Sequence, residues 1–152
     1  MKRVRRVPFR SSAGGTSLRS LSGVFDRLEF LYLPSRDVAA DVKHFTDAIG
    51  AQLVFAIEAF ETRVAMVRLS PQSPALLLAE HLKGDRPVLV HSVTDLEQAI
   101  AELERRGVTV GARFEIPFGP AVELVNPGPQ RVALYQSTRP EAAEHLAGRR
   151  DF

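Results

Sequence analysis

Few side chains in this chain of 152 residues can do chemistry: there are four histidines, two tyrosines and no cysteine. Without Cys there are no disulfides, Cys-ligated zinc sites, iron–sulfur clusters or Cys nucleophiles. His81 sits at a strand end beside Lys83-Gly-Asp85, where it reads either as a solvated histidine or as a ligand contact. His91 should face a helix as a packing residue, and His44 and His145 fall on helix surfaces. Glu123, in the middle of a strand, would be costly if buried alone. It reads as half of a cross-strand ion pair, or as a ligand-binding or general-base carboxylate. His81 and Glu123 together make two donors, and two ligands rarely make a metal site. There is no Gly-rich phosphate loop, no nucleophile elbow and no aromatic–basic strand motif for RNA.

The elements that must position these groups occur twice. Phe30–Leu33 is an apolar strand, and Ser35-Arg-Asp37 opens a helix with Val38, Val42, Phe45 and Ile49 on one stripe, stopped by Gly50. Strands follow at Leu53–Ile57, Arg63–Leu69 and Ala75–Glu80, the last two joined by Ser70–Pro74. The order then recurs. Val88–Val93 is a strand, and Thr94-Asp-Leu-Glu97 reads as a capping box. Leu96, Ile100 and Leu103 point a helix inward, and Gly107 ends it. Further strands fall at Val108–Val110, Arg113–Ile116, Ala121–Val125 and Arg131–Gln136. Thr138-Arg-Pro-Glu141 starts a last short helix that Gly148 ends. An apolar C-terminal Phe152 suggests that this tail docks on the body or on a second subunit. Periodicity alone thus gives an α+β fold with an internal repeat.

Charge divides the chain in two. Composition is 45% hydrophobic and 25% charged, ordinary for a globular protein. Residues 1–25 hold six of the 20 Lys and Arg and none of the 18 Asp and Glu, so the body is net acidic despite a sequence pI of 9.4. A nucleic-acid-binding domain would carry its basic excess on the folded surface, so no nucleic-acid partner is expected. No apolar run exceeds five residues, too short to span a membrane. The Arg- and Ser-rich leader reads as a disordered extension with the composition of a transit peptide, or as a start assigned too far upstream. The domain is expected to begin at Asp26, and the location to be cytoplasmic.

The segments Leu33-Pro-Ser-Arg-Asp37, Phe45-Thr-Asp-Ala-Ile-Gly50, Val93-Thr-Asp-Leu96, Arg106-Gly-Val108 and Pro117-Phe-Gly-Pro120 before Asn126-Pro127, in this order, carry a resemblance. The body resembles the vicinal oxygen chelate superfamily, which includes glyoxalase I, bleomycin-resistance proteins and extradiol dioxygenases. The resemblance implies paired βαβββ modules, about 28–82 and 87–137, forming a curled mixed sheet around a cavity with helices outside. Residues 26–137 would form that domain and 138–152 a helical tail. It also implies a divalent metal on His and Glu side chains at four strand positions. Here those positions are Phe30, Leu77, Val88 and Ala133. None can coordinate a metal, so no cofactor is expected.

Strand alternation then places Tyr32, Ala79, His81, Val90, Ser92 and Tyr135 on the cavity face with those four. Counting across the loops puts Glu123 opposite Ala133 and Arg63 opposite His81, and Phe118 lies in a rigid turn over the pocket. The expected ligand-binding set is therefore Phe30, Tyr32, Arg63, Leu77, His81, Val88, Ser92, Phe118, Glu123, Ala133 and Tyr135. That composition suits a small organic molecule held by shape and a few hydrogen bonds. The reading is a metal-independent binding protein that acts as a homodimer. The alternative is a glyoxalase-like lyase, isomerase or dioxygenase using an offset metal or acid–base groups such as Glu123 and His81.

Overall fold

The computed structural model describes residues 23–59 and 61–152. The disorder expected of the leader lies, for residues 1–22, outside the described residues. In the first module β1 (Arg27–Pro34) leads to α1 (Val38–Lys43), which continues as a π-helical segment, His44–Ile49. Then come β2 (Gln52–Ala59), β3 (Thr62–Arg68) and β4 (Ala75–Ala79). The second module runs β5 (Val88–Ser92), α2 (Leu96–Arg105), β6 (Val110–Ile116), β7 (Gly119–Leu124) and β8 (Arg131–Tyr135). A short α3 (Glu141–Leu146) follows.

All eight strands join one curled mixed sheet in the order β2-β3-β4-β1-β5-β8-β7-β6. Each module lays its strands in the same order, with its first strand beside its last, and antiparallel β1 and β5 join the two halves. The concave face holds one apolar cluster that includes Phe30, Tyr32, Phe55, Leu77, Val88 and Tyr135. On the convex side α1 covers Ala56, Ala65, Val67 and Leu78, while α2 covers Val122, Leu124 and Leu134. The alternation of the two faces along each strand is the period-two pattern of the sequence made physical.

Several local expectations change. In α1, Asp37 caps the helix by accepting from the Ala40 amide at 3.0 Å. The π-helical turn then rotates the stripe, and Ile49 is left 51% exposed where an unbroken α-helix would bury it. In α2 the cap is Asp95, which accepts from the Gln98 amide at 2.9 Å, not Thr94. Thr94 donates to Asp26 instead, and Glu97 is drawn off to Arg113. The two short strands expected at Val108–Val110 and Arg113–Ile116 are one strand, β6, interrupted by a register shift between Val110 and Arg113.

The tail docks on its own body. The Gly148 amide donates to Val54 O at 2.8 Å, Ala56 N to Arg149 O at 2.9 Å, and Asp151 N to Ala56 O at 2.7 Å. These bonds cover the outer edge of β2, and Phe152 packs with the convex-face cluster beneath the Arg63 guanidinium. Ahead of Asp26, Val24 packs against the α2 cluster and Phe25 meets the His91 ring edge-on at 5.2 Å. Among the described residues no helix is long and apolar enough to cross a membrane.

Candidate ligand-binding site

The four positions where the resemblance places metal ligands come together on the concave face. Phe30, Leu77, Val88 and Ala133 are all buried there. Tyr32 pairs with Leu77 on one side and Val88 on the other, and Phe30 connects through Val90 to Ala133. These side chains carry no donor for a divalent ion, so the residues do not fit the metal of the superfamily. Among the described residues, no group of three or more His, Asp or Glu converges elsewhere. Aromatic rings fill the space instead. Phe118 stacks on Phe30 at 5.3 Å, Tyr135 tilts against Phe30 at 5.4 Å, and Phe55 meets Phe118 edge-on. The centre of the face is therefore a packed aromatic core rather than an open floor.

The open space lies at one end of that face. A cavity of about 530 Å³ is walled by apolar side chains of β2, β3, β6 and α3, among them Ile57, Val64, Ile116 and Leu146. Arg139 fixes the approach to α3: its guanidinium donates to Ile116 O at 2.8 Å, to Pro117 O at 3.2 Å and to Glu115 at 2.6 Å. The tail helix is thus tied to the β6–β7 turn and forms one wall of the cavity.

One wall is polar. The Tyr32 hydroxyl lies 2.6 Å from His81 Nε2, and Thr62 Oγ1 lies 3.1 Å from His81 Nδ1. All three residues line the cavity. Tyr32 is only 1% exposed, and burial pushes its phenol up to about 12. Partial burial lowers the His81 pKa from the usual histidine value of 6.5, so the imidazole is neutral at neutral pH. A neutral imidazole between two hydroxyls accepts at one nitrogen and donates at the other.

The expected site residues separate into three groups. Tyr32 and His81 line the cavity. Phe30, Leu77, Val88, Phe118, Ala133 and Tyr135 belong to the aromatic core beside it. Arg63, Ser92 and Glu123 are not at the cavity. Glu123 does lie opposite Ala133, as counted, but its carboxylate is held by Arg131 in two bonds of 2.8 and 3.2 Å. Ser92 donates a long 3.4 Å bond to Arg27 O.

Arg63 is a correction with a clear cause. The β3–β4 ladder runs Val64↔Ala79 and Val67↔Leu76, one residue off the expected register. A slip of one residue reverses every side chain. Arg63 therefore lands on the convex face with Glu58 and Phe152, and Thr62 takes the place beside His81. Sequence reasoning also missed the contribution of α3 and of Arg139, whose only sequence signal was a short capped tail after the last strand.

No family model matches the chain, and no curated protein matches it by sequence. Solved structures do match in shape. Methylmalonyl-CoA epimerase from Mycobacterium tuberculosis superposes with a TM-score of 0.64 at 17% identity, covering 81% of this chain and 95% of that one. A single-substitution variant of Streptomyces coelicolor methylmalonyl-CoA epimerase, in complex with 2-nitronate-propionyl-CoA, gives 0.61 at 17% identity, covering 75% and 96%. A hypothetical protein from Bacillus halodurans gives 0.63 at 12% identity, covering 72% and 93%. What these structures share with this chain is the fold, the paired modules in one curled sheet that the resemblance in the sequence implied, and the four positions where that resemblance places metal ligands are apolar here.

Proposed function

We propose that the protein binds a small organic molecule in the cavity beside α3, without a metal, and sequesters it in the cytoplasm as the bleomycin-resistance branch does. The observation that carries this reading is the replacement of all four ligand positions by buried apolar residues on a scaffold that still leaves a cavity of about 530 Å³. That volume is within the range of small-molecule sites, and the walls are apolar with a few convergent polar groups. Solved structures of the same fold include one described in complex with methylmalonyl-CoA and NH4+, which supports an organic ligand in general terms. The enzyme alternative loses Glu123 as a free base, because Arg131 holds it.

The test is a thermal-stability screen against metabolites and aromatic antibiotics. A ligand at about 100 times its Kd adds roughly 2.7 kcal/mol to a folded state that alone binds it. In a domain of this size that is a rise of several degrees. Metal analysis of protein purified without chelator is the counter-test. One tightly held divalent ion per chain, lost on substituting His81, would replace this reading with the enzymatic one.

A further inference from the structure

Burial of the Tyr32 hydroxyl favours one direction for the hydrogen bonds on the polar wall. Tyr32 is the buried end of the chain Tyr32–His81–Thr62, and its hydroxyl has His81 Nε2 as its one acceptor among the described residues. A buried hydroxyl proton without an acceptor is costly. Tyr32 therefore donates, and Nε2 accepts. A neutral imidazole that accepts at Nε2 carries its proton on Nδ1. That proton is donated to Thr62 Oγ1, 3.1 Å away. Among the described residues the Thr62 hydroxyl proton has no acceptor, and it is free toward the cavity that Thr62 lines. Each bond in such a chain polarises the next, so the last donor is strengthened.

Charge around the cavity limits what this donor meets. Arg139 is tied to Glu115, and Glu141 and His145, which also line the cavity, sit at exposed positions of α3. The groups hydrogen-bonded at Thr62 itself are neutral dipoles, the His81 imidazole and the Tyr32 hydroxyl behind it, so nothing bonded there offsets the desolvation of an ionised head group. We propose that Thr62, oriented through His81 by the buried Tyr32 hydroxyl, is the hydrogen-bond donor of the cavity, and that the bound molecule is an uncharged ring body presenting a carbonyl-type acceptor oxygen; this rests on the cavity being the binding site.

The experiment uses four flat tricyclic probes of nearly one shape on the full chain: fluorene, fluorenone, carbazole and fluorene-2-carboxylate. Fluorenone should bind about tenfold tighter than fluorene, the worth of one good hydrogen bond. Carbazole, which can only donate, should gain nothing, and the carboxylate should bind worst. Thr62→Val, a change of shape-matched β-branched residues, should erase the fluorenone preference, while Thr62→Ser keeps it. Nitrogen-15 spectra, with the resonances assigned against His81→Gln, should show the His81 proton on Nδ1. A proton on Nε2, equal affinity for fluorene and fluorenone, or tightest binding by the carboxylate would each overturn the proposal. Failure of all four probes to bind would overturn the cavity as a site for ring ligands, and the proposal with it.

Discussion

Tyr32 and Tyr135 are the only tyrosines, and the chain has no tryptophan, so near-ultraviolet tyrosinate absorbance reports these two alone. Burial pushes both phenols up to about 12. A raised folded pKa gives stability that is complete below the unfolded value of 10.0 and is lost as pH rises through the folded one. Alkaline titration should therefore show no ionisation near pH 10.0, then one step that coincides with loss of the folded circular-dichroism signal. Gradual ionisation of a folded protein near 10.0 would contradict the burial. His81 works in the opposite sense. Its folded pKa is lowered by burial, so stability is present above 6.5 and falls as the unfolded state takes up a proton below it. Denaturant titrations across that range should find a shallower acid limb in His81→Gln than in the parent. In the aromatic core, Phe118→Ala removes the ring stacked on Phe30 and should cost about 3–5 kcal/mol, read from the urea midpoint. Which residues share the concave face was legible in the sequence, because alternation along a strand is a local property: Phe30, Tyr32, Leu77, Val88, Ala133 and Tyr135 all fall where the period placed them. Whether that face is open or filled was not legible. It depends on rings brought from distant strands and turns, Phe55 and Phe118 above all.

Elements were legible wherever a short-range signal fixed them. The β7–β8 register followed from the Asn126–Gln130 loop, whose Asn126 amide closes it by donating to Gln130 O at 2.9 Å. The Ser70–Pro74 loop has no equivalent bond across its base. A count of its residues alone could not tell Arg63 from Thr62, and the error moved a charge into the expected site and a hydroxyl out of it. Turns also set what cannot be changed. A Cβ on Gly119 would sit 1.9 Å from Gln136 O, a backbone atom that cannot move aside without breaking the β7–β8 end. Gly119→Ala should cost a few kcal/mol and lower the denaturant midpoint; an unchanged midpoint would mean that the turn relaxes freely. Removing residues 148–152 deletes the backbone bonds to β2 and the Phe152 contact. The truncated protein should melt lower and show growing particle size by light scattering as the bared strand edge finds other chains.

At the scale of the molecule, the repeat in the sequence became two modules of one strand order, joined in one domain. The start of that domain lies earlier than Asp26 in terms of contact. A chain beginning at Gly23 should melt with the full-length protein, whereas one beginning at Arg27, without Val24 and Phe25, should melt measurably lower. The two modules share an order but not a fate at their ends. The outer strand of the first, β2, is sealed by the chain's own last residues, while among the described residues β6 pairs with β7 alone. A sheet with two sticky rims can recruit copies without limit, and a growing fibre is the result. With one rim sealed, β6 is the edge left open among the described residues, and a second copy that paired along it would leave neither partner a further open edge there. The tail works as a stopper at one end of the sheet, and the prediction that follows is a homodimer paired along β6: light scattering should find a species of twice the 16.8 kDa chain mass and nothing larger, and a ladder of higher species would contradict it.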